Sequence, residues 1–306
     1  MIHNENNKKP KIIIILGPTS SGKSDLAVEL ALAFNGEVIS ADSRQVYKGL
    51  DIGTGKITKT EMRKVPHHLL DVISPKKQFS ANDFTTLAEK QIKNMLKNKK
   101  LPIIAGGTMF YIDILTGDVS IPAVPPSKNL RAKLENKSVN ELFTQLKELN
   151  PQRAKAMMKD GQDQNKRRII RAIEIASNKS AKNISFKNKF EILKIGIKTS
   201  KDTLRKRIKL RTQKRIRAGM VSEAKKLHKK GLTYKRMRAL GLEYKHLADF
   251  LQNKITKDEL IWRIERDDWR YARKQLSWWK RDKSIKWFTL GQKDKIQKEV
   301  KRFLSN

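Results

Sequence analysis

Short runs of apolar, mostly β-branched residues alternate with amphipathic segments along the chain. The runs at 11–16, 37–40, 101–105 and 191–197 have the length and composition of buried parallel strands. Between the first three of them, apolar residues recur every three or four positions, as on one face of a helix. This alternation predicts an α/β fold in which helices flank a parallel sheet.

The pattern changes at the proline-rich stretch 121–126, beyond which helical signals follow one another without a strand. Ser138 with Glu141 forms a capping box, and Asn150-Pro151 is a typical helix start. Strand character returns only at 191–197, which we expect to rejoin the sheet. The predicted organisation is a first part of the core at 1–118, a helical insertion at 119–189, and a continuation of the core at 190–306 with basic C-terminal helices.

The first apolar run leads into a sequence that matches G-x-x-x-x-G-K-[ST] at every position. The motif consists of Gly17, Pro18, Thr19, Ser20, Ser21, Gly22, Lys23 and Ser24. Strand, glycine loop and helix in this order form a phosphate cradle, because loop N–H groups and the helix N-terminus face the anion. Lys23 adds a full charge, and the Ser24 hydroxyl is a candidate Mg²⁺ ligand. The motif predicts a P-loop NTPase-like sheet that binds a diphosphate or triphosphate, and leaves open which molecule, ATP included, carries it.

Two other predicted strands end in polar residues. Asp42 follows the strand at 37–40, where it is a candidate base or metal ligand, or equally a helix N-cap. Gly106-Gly107-Thr108 follows the strand at 101–105 and places a hydroxyl there. We expect these residues and the phosphate loop to converge. Gly53-Thr54-Gly55-Lys56 imitates a phosphate loop but lacks its spacing, so we interpret it as a turn, and the pair His67-His68 as structural.

The net charge of +37 suggests a polyanionic partner, of which nucleic acid is the commonest. A compositional bias of the genome would raise the lysine content in the same way. Arginine clusters at 167–171 and 205–217, and aromatic residues among basic ones near 269–281, favour nucleic acid. Of the tryptophans there, we expect Trp278 in the core and leave Trp269 open.

Cysteine is absent, which excludes a disulfide framework and a cysteine zinc site. The apolar runs are too short to span a membrane, and residues 1–10 lack the apolar core of a secretory signal, so they are interpreted as a short polar tail. We therefore expect a cytoplasmic protein with no membrane association. Nothing in the sequence indicates an oligomer, and a monomer is expected.

Three function classes are compatible with a phosphate loop. A signalling GTPase would carry Asn-Lys-x-Asp, whereas the chain has Asn98-Lys99-Lys100-Leu101. A small-molecule or nucleoside kinase accounts for the loop and Asp42 but needs neither the charge nor a basic insertion. A transferase that holds a diphosphate substrate and acts on RNA accounts for both.

Several motifs closely resemble those of the tRNA dimethylallyltransferases, also called tRNA isopentenyltransferases, in the family's order. They are 17–24, the long run 39–56, 66–69, 106–111, 171–174, 238–241 and 271–278. One departure is that the family's Gly-Tyr-Lys reads Gly241-Leu242-Glu243-Tyr244-Lys245, an apparent insertion of two residues. Another is that Lys-Arg-Gln reads Arg273-Lys274-Gln275. The lack of cysteine matches the bacterial type, which has no zinc finger.

The resemblance implies transfer of a dimethylallyl group from its diphosphate to N6 of adenosine 37, next to the anticodon of tRNA. It implies Asp42 as general base, Thr108 at the bridging oxygen, Lys23 and Arg238 at the leaving diphosphate, and Mg²⁺ on Ser24. It also implies a grip on the anticodon stem-loop by a set of residues shared with the family. These are Asp42, Ser43, Arg44, Gln45, Thr108, Arg131, Arg167, Arg168, Ile169, Ile170 and Arg171.

Overall fold

The computed structural model describes residues 9–178 and 183–306. The chain forms two compact units, one made of Met1–Asp118 with Phe186–Asn306 and the other of Val119–Ser185. The second unit lies within the range 119–189 that the sequence assigns to an insertion. The polar tail expected at 1–10 lies mostly outside the described residues.

The first unit is built on a parallel sheet in the order β3-β2-β4-β1-β7-β8. The strands of the described chain are β1 (Lys11–Leu16), β2 (Gly36–Ser40), β3 (His67–His68), β4 (Leu101–Ala105), β5 (Ile121–Pro122), β6 (Asn183–Ile184), β7 (Glu191–Ile197) and β8 (Lys286–Phe288). Residues 12–16 of the central strand β1 are fully buried, because helices cover both faces of a parallel sheet. The predicted α/β class, and the return of 191–197 to the sheet beside β1, are confirmed.

Helices connect the strands and form the insertion. They are α1 (Lys23–Ala33), α2 (Lys59–Met62), α3 (Ala81–Lys97), α4 (Met109–Thr116), α5 (Lys128–Glu135), α6 (Val139–Leu149), α7 (Pro151–Lys159), α8 (Lys166–Ala176), α9 (Lys201–Arg217), α10 (Met220–Lys229), α11 (Tyr234–Leu240), α12 (Leu242–Leu251), α13 (Lys257–Trp279) and α14 (Lys293–Ser305). The predicted capping box at Ser138 is present, with the Ser138 hydroxyl accepting from the Glu141 N–H. No helix in the described part of the chain is both long and apolar enough to cross a membrane.

The carboxyl ends of β1, β2 and β4 meet at one edge of the sheet, as expected from their polar endings. The Ala41 N–H donates to Ala105 O (2.9 Å), and the Thr108 N–H donates to Ala41 O (3.1 Å). A Cβ at Gly106 would lie 2.3 Å from Ala41 O, so only glycine permits this approach of the two loops. The residues after β2 and β4 are thereby held together.

One prediction about the aromatic residues of α13 is wrong. Trp278 is 41% exposed, and its indole N–H donates to Asp113 Oδ2 (2.8 Å). The buried residues on this part of the helix are Ala272, Gln275 and Trp279, spaced by three and four. Trp278 lies one residue away from that face, about 100° around the helix axis. Trp269 is half-buried beneath the Arg205 guanidinium (4.7 Å).

Candidate active site

A cavity of about 450 Å³ lies at the edge where the strand ends meet. Of the sequence-predicted residues, Asp42, Gln45 and the second part of the phosphate loop line it. Its polar lining residues are Thr19, Ser20, Ser21, Lys23, Ser24, Asp25, Ser40, Asp42, Gln45, Glu61, His67, Arg207, Arg211, Tyr271 and Gln275. Among the described residues, Gly17, Pro18, Ser43, Arg44, Thr108 and Arg238 do not line it.

The phosphate loop adopts a backbone that depends on its glycines. Gly17 and Gly22 have φ of 149° and 89°, and the non-glycine Ser20 also lies in the left-handed region with φ of 61°. A Cβ at Gly17 would lie 2.9 Å from Ile197 O, so the loop packs tightly on the end of β7. The hydroxyls of Ser20 and Ser21 are buried and have no hydrogen-bond partner among the described residues. Such unpartnered groups in a cavity wall are available to an anionic ligand.

The first part of the loop is held by two residues that the sequence did not assign to the site. The Thr19 N–H donates to Gln275 Oε1 (2.8 Å), and Arg211 Nη1 donates to Thr19 Oγ1 (2.8 Å). Gln275 is fully buried, and its Nε2 donates to Gly107 O (2.8 Å). Its amide therefore ties the phosphate loop to the loop after β4. The N–H groups of Thr19 and Ser21 are thus already used within the protein, since the Ser21 N–H donates to Pro18 O (3.2 Å).

Lys23 is the cation nearest the loop carbonyls, with Nζ donating to Pro18 O (2.7 Å). The pKa of Lys23 is lowered to about 7, chiefly by burial and also by the charge of Arg211, while Asp42 opposes the shift. The unliganded protein therefore holds this ammonium charged below pH 7 and neutral above it. An anion in the cavity would favour the charged form of Lys23. The protein would therefore take up a proton when the anion binds above pH 7.

We expect the affinity for inorganic diphosphate to fall as the pH rises above about 7, because binding then requires Lys23 to be protonated. Calorimetry from pH 6 to 9 measures this dependence. The Lys23→Met variant is the control, because its remaining pH dependence reports the ionisation of the ligand itself. Identical pH profiles for the two proteins would contradict the assignment of Lys23 as the titrating group.

Asp42 both caps a turn and lines the cavity, so its capping hydrogen bonds leave the predicted catalytic role open. Its Oδ1 accepts from the Arg44 N–H (2.8 Å) and from the Gln45 N–H (3.3 Å). The structure reports no hydrogen bond to Oδ2 among the described residues. One carboxylate oxygen therefore fixes the side chain while the other is free to accept a proton.

Thr108 does not line the cavity and lies behind its wall. Its Oγ1 accepts from the Ser43 N–H (2.9 Å), and its hydroxyl also forms a hydrogen bond with the Tyr271 hydroxyl. Tyr271 lies beside it and donates to Gly107 O (2.8 Å), and burial raises the pKa of Tyr271 well above its usual range. Tyr271 is therefore a neutral donor near neutral pH.

Two arginines line the cavity, Arg207 and Arg211, and the sequence placed both only within a basic run of α9. Of the two, Arg211 contacts the phosphate loop through Thr19. Its Nη2 donates to Thr54 O (3.3 Å) and Gly55 O (3.4 Å), so the guanidinium is fixed between the 54–55 turn and the phosphate loop. A possible signal was the spacing of Arg207, Arg211 and Arg215 by four, which places them on one helix face.

Arg238, by contrast, binds the carboxylate of Asp249 on α12 through Nε (3.0 Å) and Nη2 (2.8 Å), and it also contacts Gln252. Its role at the diphosphate stays a prediction, and the geometry favours Arg211 for that position.

Ser24 lies at the start of α1, is exposed, and lines the cavity together with Asp25 and Glu61. Within the described ranges, no group of three or more His, Cys, Asp or Glu side chains could hold a metal ion. A cation at this place would take its ligands from the Ser24 hydroxyl, from substrate phosphate oxygens and from water. Mg²⁺ favours this donor set, because it keeps several waters when it binds phosphates.

The predicted tRNA-binding residues of the second unit differ in exposure. Arg131 holds Glu174 through two hydrogen bonds of 2.7 Å, and Arg171 donates to the same carboxylate (3.2 Å) and to Val124 O (2.8 Å). Ile169 and Ile170 are buried in the core of this unit. Arg167 and Arg168 are exposed. Among the predicted tRNA-binding residues of this unit, Arg167 and Arg168 are therefore the ones whose charges are free to contact a phosphate.

The cavity as a whole can hold a diphosphate against the phosphate loop, Lys23 and Arg211, with the Asp42 carboxylate in the same wall. Preorganised donors of this kind stabilise negative charge that develops on a leaving group. A carboxylate beside them can accept a proton from a nucleophile that attacks the atom joined to the diphosphate. This constellation suits group transfer from a diphosphate ester.

Comparisons with known proteins agree with this geometry. The IPP transferase family model matches residues 45–282. The chain is 41% identical over 281 residues to tRNA dimethylallyltransferase 2 of Treponema denticola, covering 89% of this chain and 92% of that protein. It is 35% identical over 309 residues to a tRNA dimethylallyltransferase of Thermomicrobium roseum, covering 97% and 93% of the two chains.

Solved structures give the same result. A full-length tRNA isopentenylpyrophosphate transferase from Bacillus halodurans superposes with a TM-score of 0.72 at 33% identity, covering 97% of both chains. A eukaryotic dimethylallyltransferase acting on tRNA has a TM-score of 0.75 at 26% identity, covering 88% of this chain and 70% of that one. With the family model spanning most of its length and relatives this similar over nearly all of it, the chain belongs to the IPP transferase family.

Proposed function

We propose that the protein transfers a dimethylallyl group from dimethylallyl diphosphate to N6 of adenosine 37 in tRNA and releases diphosphate. The observation that carries this proposal is the joining of a phosphate loop, Arg211 and the Asp42 carboxylate in one cavity. The relatives' names support it over the alternative of a small-molecule or nucleoside kinase.

In the proposed reaction the bond between N6 and C1 of the dimethylallyl group forms as the bond between C1 and the bridging oxygen breaks. Adenine N6 is a weak nucleophile, because its lone pair is delocalised into the ring. Asp42 accepts the N6 proton through Oδ2 while Oδ1 keeps its two backbone bonds. The target base has to leave its stack to reach the cavity, as with other enzymes that modify bases.

The leaving diphosphate gains negative charge on its bridging oxygen. The N–H groups at the start of α1, the Lys23 ammonium and the Arg211 guanidinium are the donors placed to stabilise that charge. Donation by Thr108 to the bridging oxygen is implied by the family resemblance and stays a prediction, since Thr108 does not line the cavity. The Ser24 hydroxyl is the side chain that would hold Mg²⁺ here, and the ion would supply further neutralisation of the leaving group.

For tRNA, we propose that the exposed Arg167 and Arg168 contact phosphates of the anticodon stem-loop, whereas Arg131 and Arg171 maintain the second unit through Glu174. We also expect the enzyme to act as a monomer in the cytoplasm.

Replacing Arg167 and Arg168 by alanine should lower the steepness of log Kd against log salt concentration by about 1.5 units, a little under one unit per lost phosphate contact. The matched control is the double variant Lys155→Ala and Lys159→Ala, which removes two exposed charges from α7 of the same unit. Filter binding of tRNA between about 50 and 200 mM salt measures both slopes. Equal slopes for the two double variants would show that the charge acts diffusely.

The function is tested by incubating the protein with tRNA, Mg²⁺ and dimethylallyl diphosphate and analysing the nucleosides by mass spectrometry. We expect N6-(dimethylallyl)adenosine at position 37 only when all components are present. A parallel assay with ATP and nucleosides tests the kinase alternative, and phosphorylation without prenyl transfer would overturn the proposal.

A further inference from the structure

Arg215 lies one helical turn beyond Arg211 on α9, and its guanidinium is enclosed by acceptors. Nη1 donates to Glu243 Oε1 (2.5 Å) and to Gly53 O (2.8 Å), and Nη2 donates to Asp268 Oδ2 (2.9 Å). All three charged residues are more than nine-tenths buried. Removing charges from water is costly, and apolar residues in their place are often as stable or more so. Fold stability is therefore a weak reason for this cluster.

The partners of Arg211 are of a different kind. Its guanidinium donates to the Thr19 hydroxyl and to the carbonyls of Thr54 and Gly55, which are all neutral. No carboxylate among the described residues forms an ion pair with it, whereas its neighbour Arg215 has two. An arginine with a bound carboxylate would have to exchange that partner for a phosphate, so a neutral set of partners leaves Arg211 ready for the substrate.

Both carboxylates nevertheless act on Arg211. Burial and the charge of Arg215 lower the pKa of Arg211, and Asp268 and Glu243 oppose that shift. Arg215 therefore lies between Arg211 and the two groups that would otherwise attract it. Residues four apart on a helix lie about 6 Å from each other, so the long Arg211 side chain could reach the same carboxylates if Arg215 were absent.

The turn at 53–55 binds the guanidiniums of both Arg211 and Arg215 through consecutive backbone carbonyls. Gly53 O accepts from Arg215, and the next two carbonyls accept from Arg211. A Cβ at Gly55 would lie 2.1 Å from Arg211 Nη2, which shows how closely the turn approaches that side chain. The segment that imitates a phosphate loop in the sequence thus contributes backbone carbonyls, which bind cations rather than phosphates.

Glu243 comes from the two residues by which the chain departs from the family's Gly-Tyr-Lys pattern. The chain reverses between α11 and α12 at Gly241 and Leu242, whose φ values are 74° and 44°. The next residue, Glu243, is thereby directed into the protein toward Arg215. The departure supplies one of the two carboxylates of the cluster.

We propose that Arg215 is a positioning residue that occupies Glu243 and Asp268 and so leaves Arg211 free to bind the diphosphate of the substrate. The inference rests on the proposed function, since it assigns Arg211 to that diphosphate. Without Arg215, the two carboxylates draw the Arg211 guanidinium away from the cavity. If both carboxylates are neutralised as well, no negative charge attracts the Arg211 guanidinium away from the cavity.

The test compares Arg215→Met with the triple variant Arg215→Met, Glu243→Gln and Asp268→Asn. The single variant should raise KM for dimethylallyl diphosphate about tenfold, the scale of one charged hydrogen bond, with KM for tRNA little changed. The triple variant should return KM for dimethylallyl diphosphate to within about threefold of the original value. Circular dichroism melting and titration of active sites separate these effects from loss of folded protein.

Lys194→Met is the matched control. Lys194 is a buried cation of the same unit that also binds two carboxylates, Asp118 (3.1 Å) and Asp282 (2.6 Å), and it does not line the cavity. Its replacement should lower the melting temperature without changing KM for dimethylallyl diphosphate. If Arg215→Met does not fold, Arg215→Lys takes its place, because a single ammonium cannot reproduce the fork that holds both carboxylates.

A raised KM in the single variant that the triple variant reverses supports the proposal. An unchanged KM in both Arg215 variants, or a KM that stays raised in the triple variant, overturns it. Calorimetry with inorganic diphosphate on the same proteins distinguishes this failure from failure of the proposed function. If the original protein binds diphosphate but transfers no prenyl group, the function is wrong, and the binding comparison still tests Arg215.

Discussion

Replacing Asp42 by asparagine should reduce kcat by at least about a hundredfold, the usual scale for loss of a general base. The asparagine oxygen can still accept from the N–H groups of Arg44 and Gln45, so the turn that positions residue 42 is kept. The variant loses the capacity to take the proton from adenine N6. Single-turnover kinetics with saturating tRNA and dimethylallyl diphosphate measure the effect.

Asp42→Ala is the companion variant, because it removes the cap as well as the base. It should lose the same activity and in addition about 1 kcal/mol of stability. The Kd for tRNA should change little in the asparagine variant, since phosphate contacts supply most of such affinity. Turnover of Asp42→Asn within a few-fold of the original protein would remove Asp42 from the mechanism.

Replacing Arg211 by alanine should lower kcat/KM for dimethylallyl diphosphate by about a hundredfold to a thousandfold, the usual loss for one donor to developing negative charge. Arg211 is the guanidinium held between the phosphate loop and the 54–55 turn in the cavity wall. Arg211→Lys should recover only part of the loss, because a lysine keeps the charge without the fork. Steady-state kinetics with dimethylallyl diphosphate as the varied substrate measure all three proteins.

Arg238→Ala belongs in the same series, because the family motif points to this arginine and the geometry points to Arg211. Its ion pair with Asp249 lies between α11 and α12, so we expect a change in stability and a smaller kinetic effect than at Arg211. A loss of kcat/KM at Arg238 that exceeds the loss at Arg211 would favour the assignment made from the motif.

Local patterns in the sequence predicted the sheet, the phosphate loop and the position of Asp42. Each of these depends on residues that are near neighbours in the chain: an apolar run such as Ile12–Leu16, two glycines at fixed spacing, or an acidic residue directly after a strand. The carboxyl ends of parallel strands meet at one edge, so the convergence of Asp42 with the loop also followed. The motifs that carry the family resemblance are of the same local kind.

Only the tertiary structure decided which of several similar side chains faces the site. The basic run of α9 offers arginines at every face, and packing of Leu204 and Ile208 against α13 turns Arg211 and Arg215 inward. Gln275 joins loops that are more than 160 residues away in the chain.

Packing between distant segments also decides the exposure of several residues that the sequence alone does not predict. Arg131 meets Glu174 only because α5 and α8 pack together. Arg171 pairs with the same carboxylate from one turn earlier on α8, whereas Arg167 on that helix remains exposed. A change of one position, about 100° on a helix, likewise separates buried Trp279 from exposed Trp278. Periodicity identifies the faces of a helix, and the packing of distant segments decides which face is buried, because burial depends on partners that the local sequence does not specify.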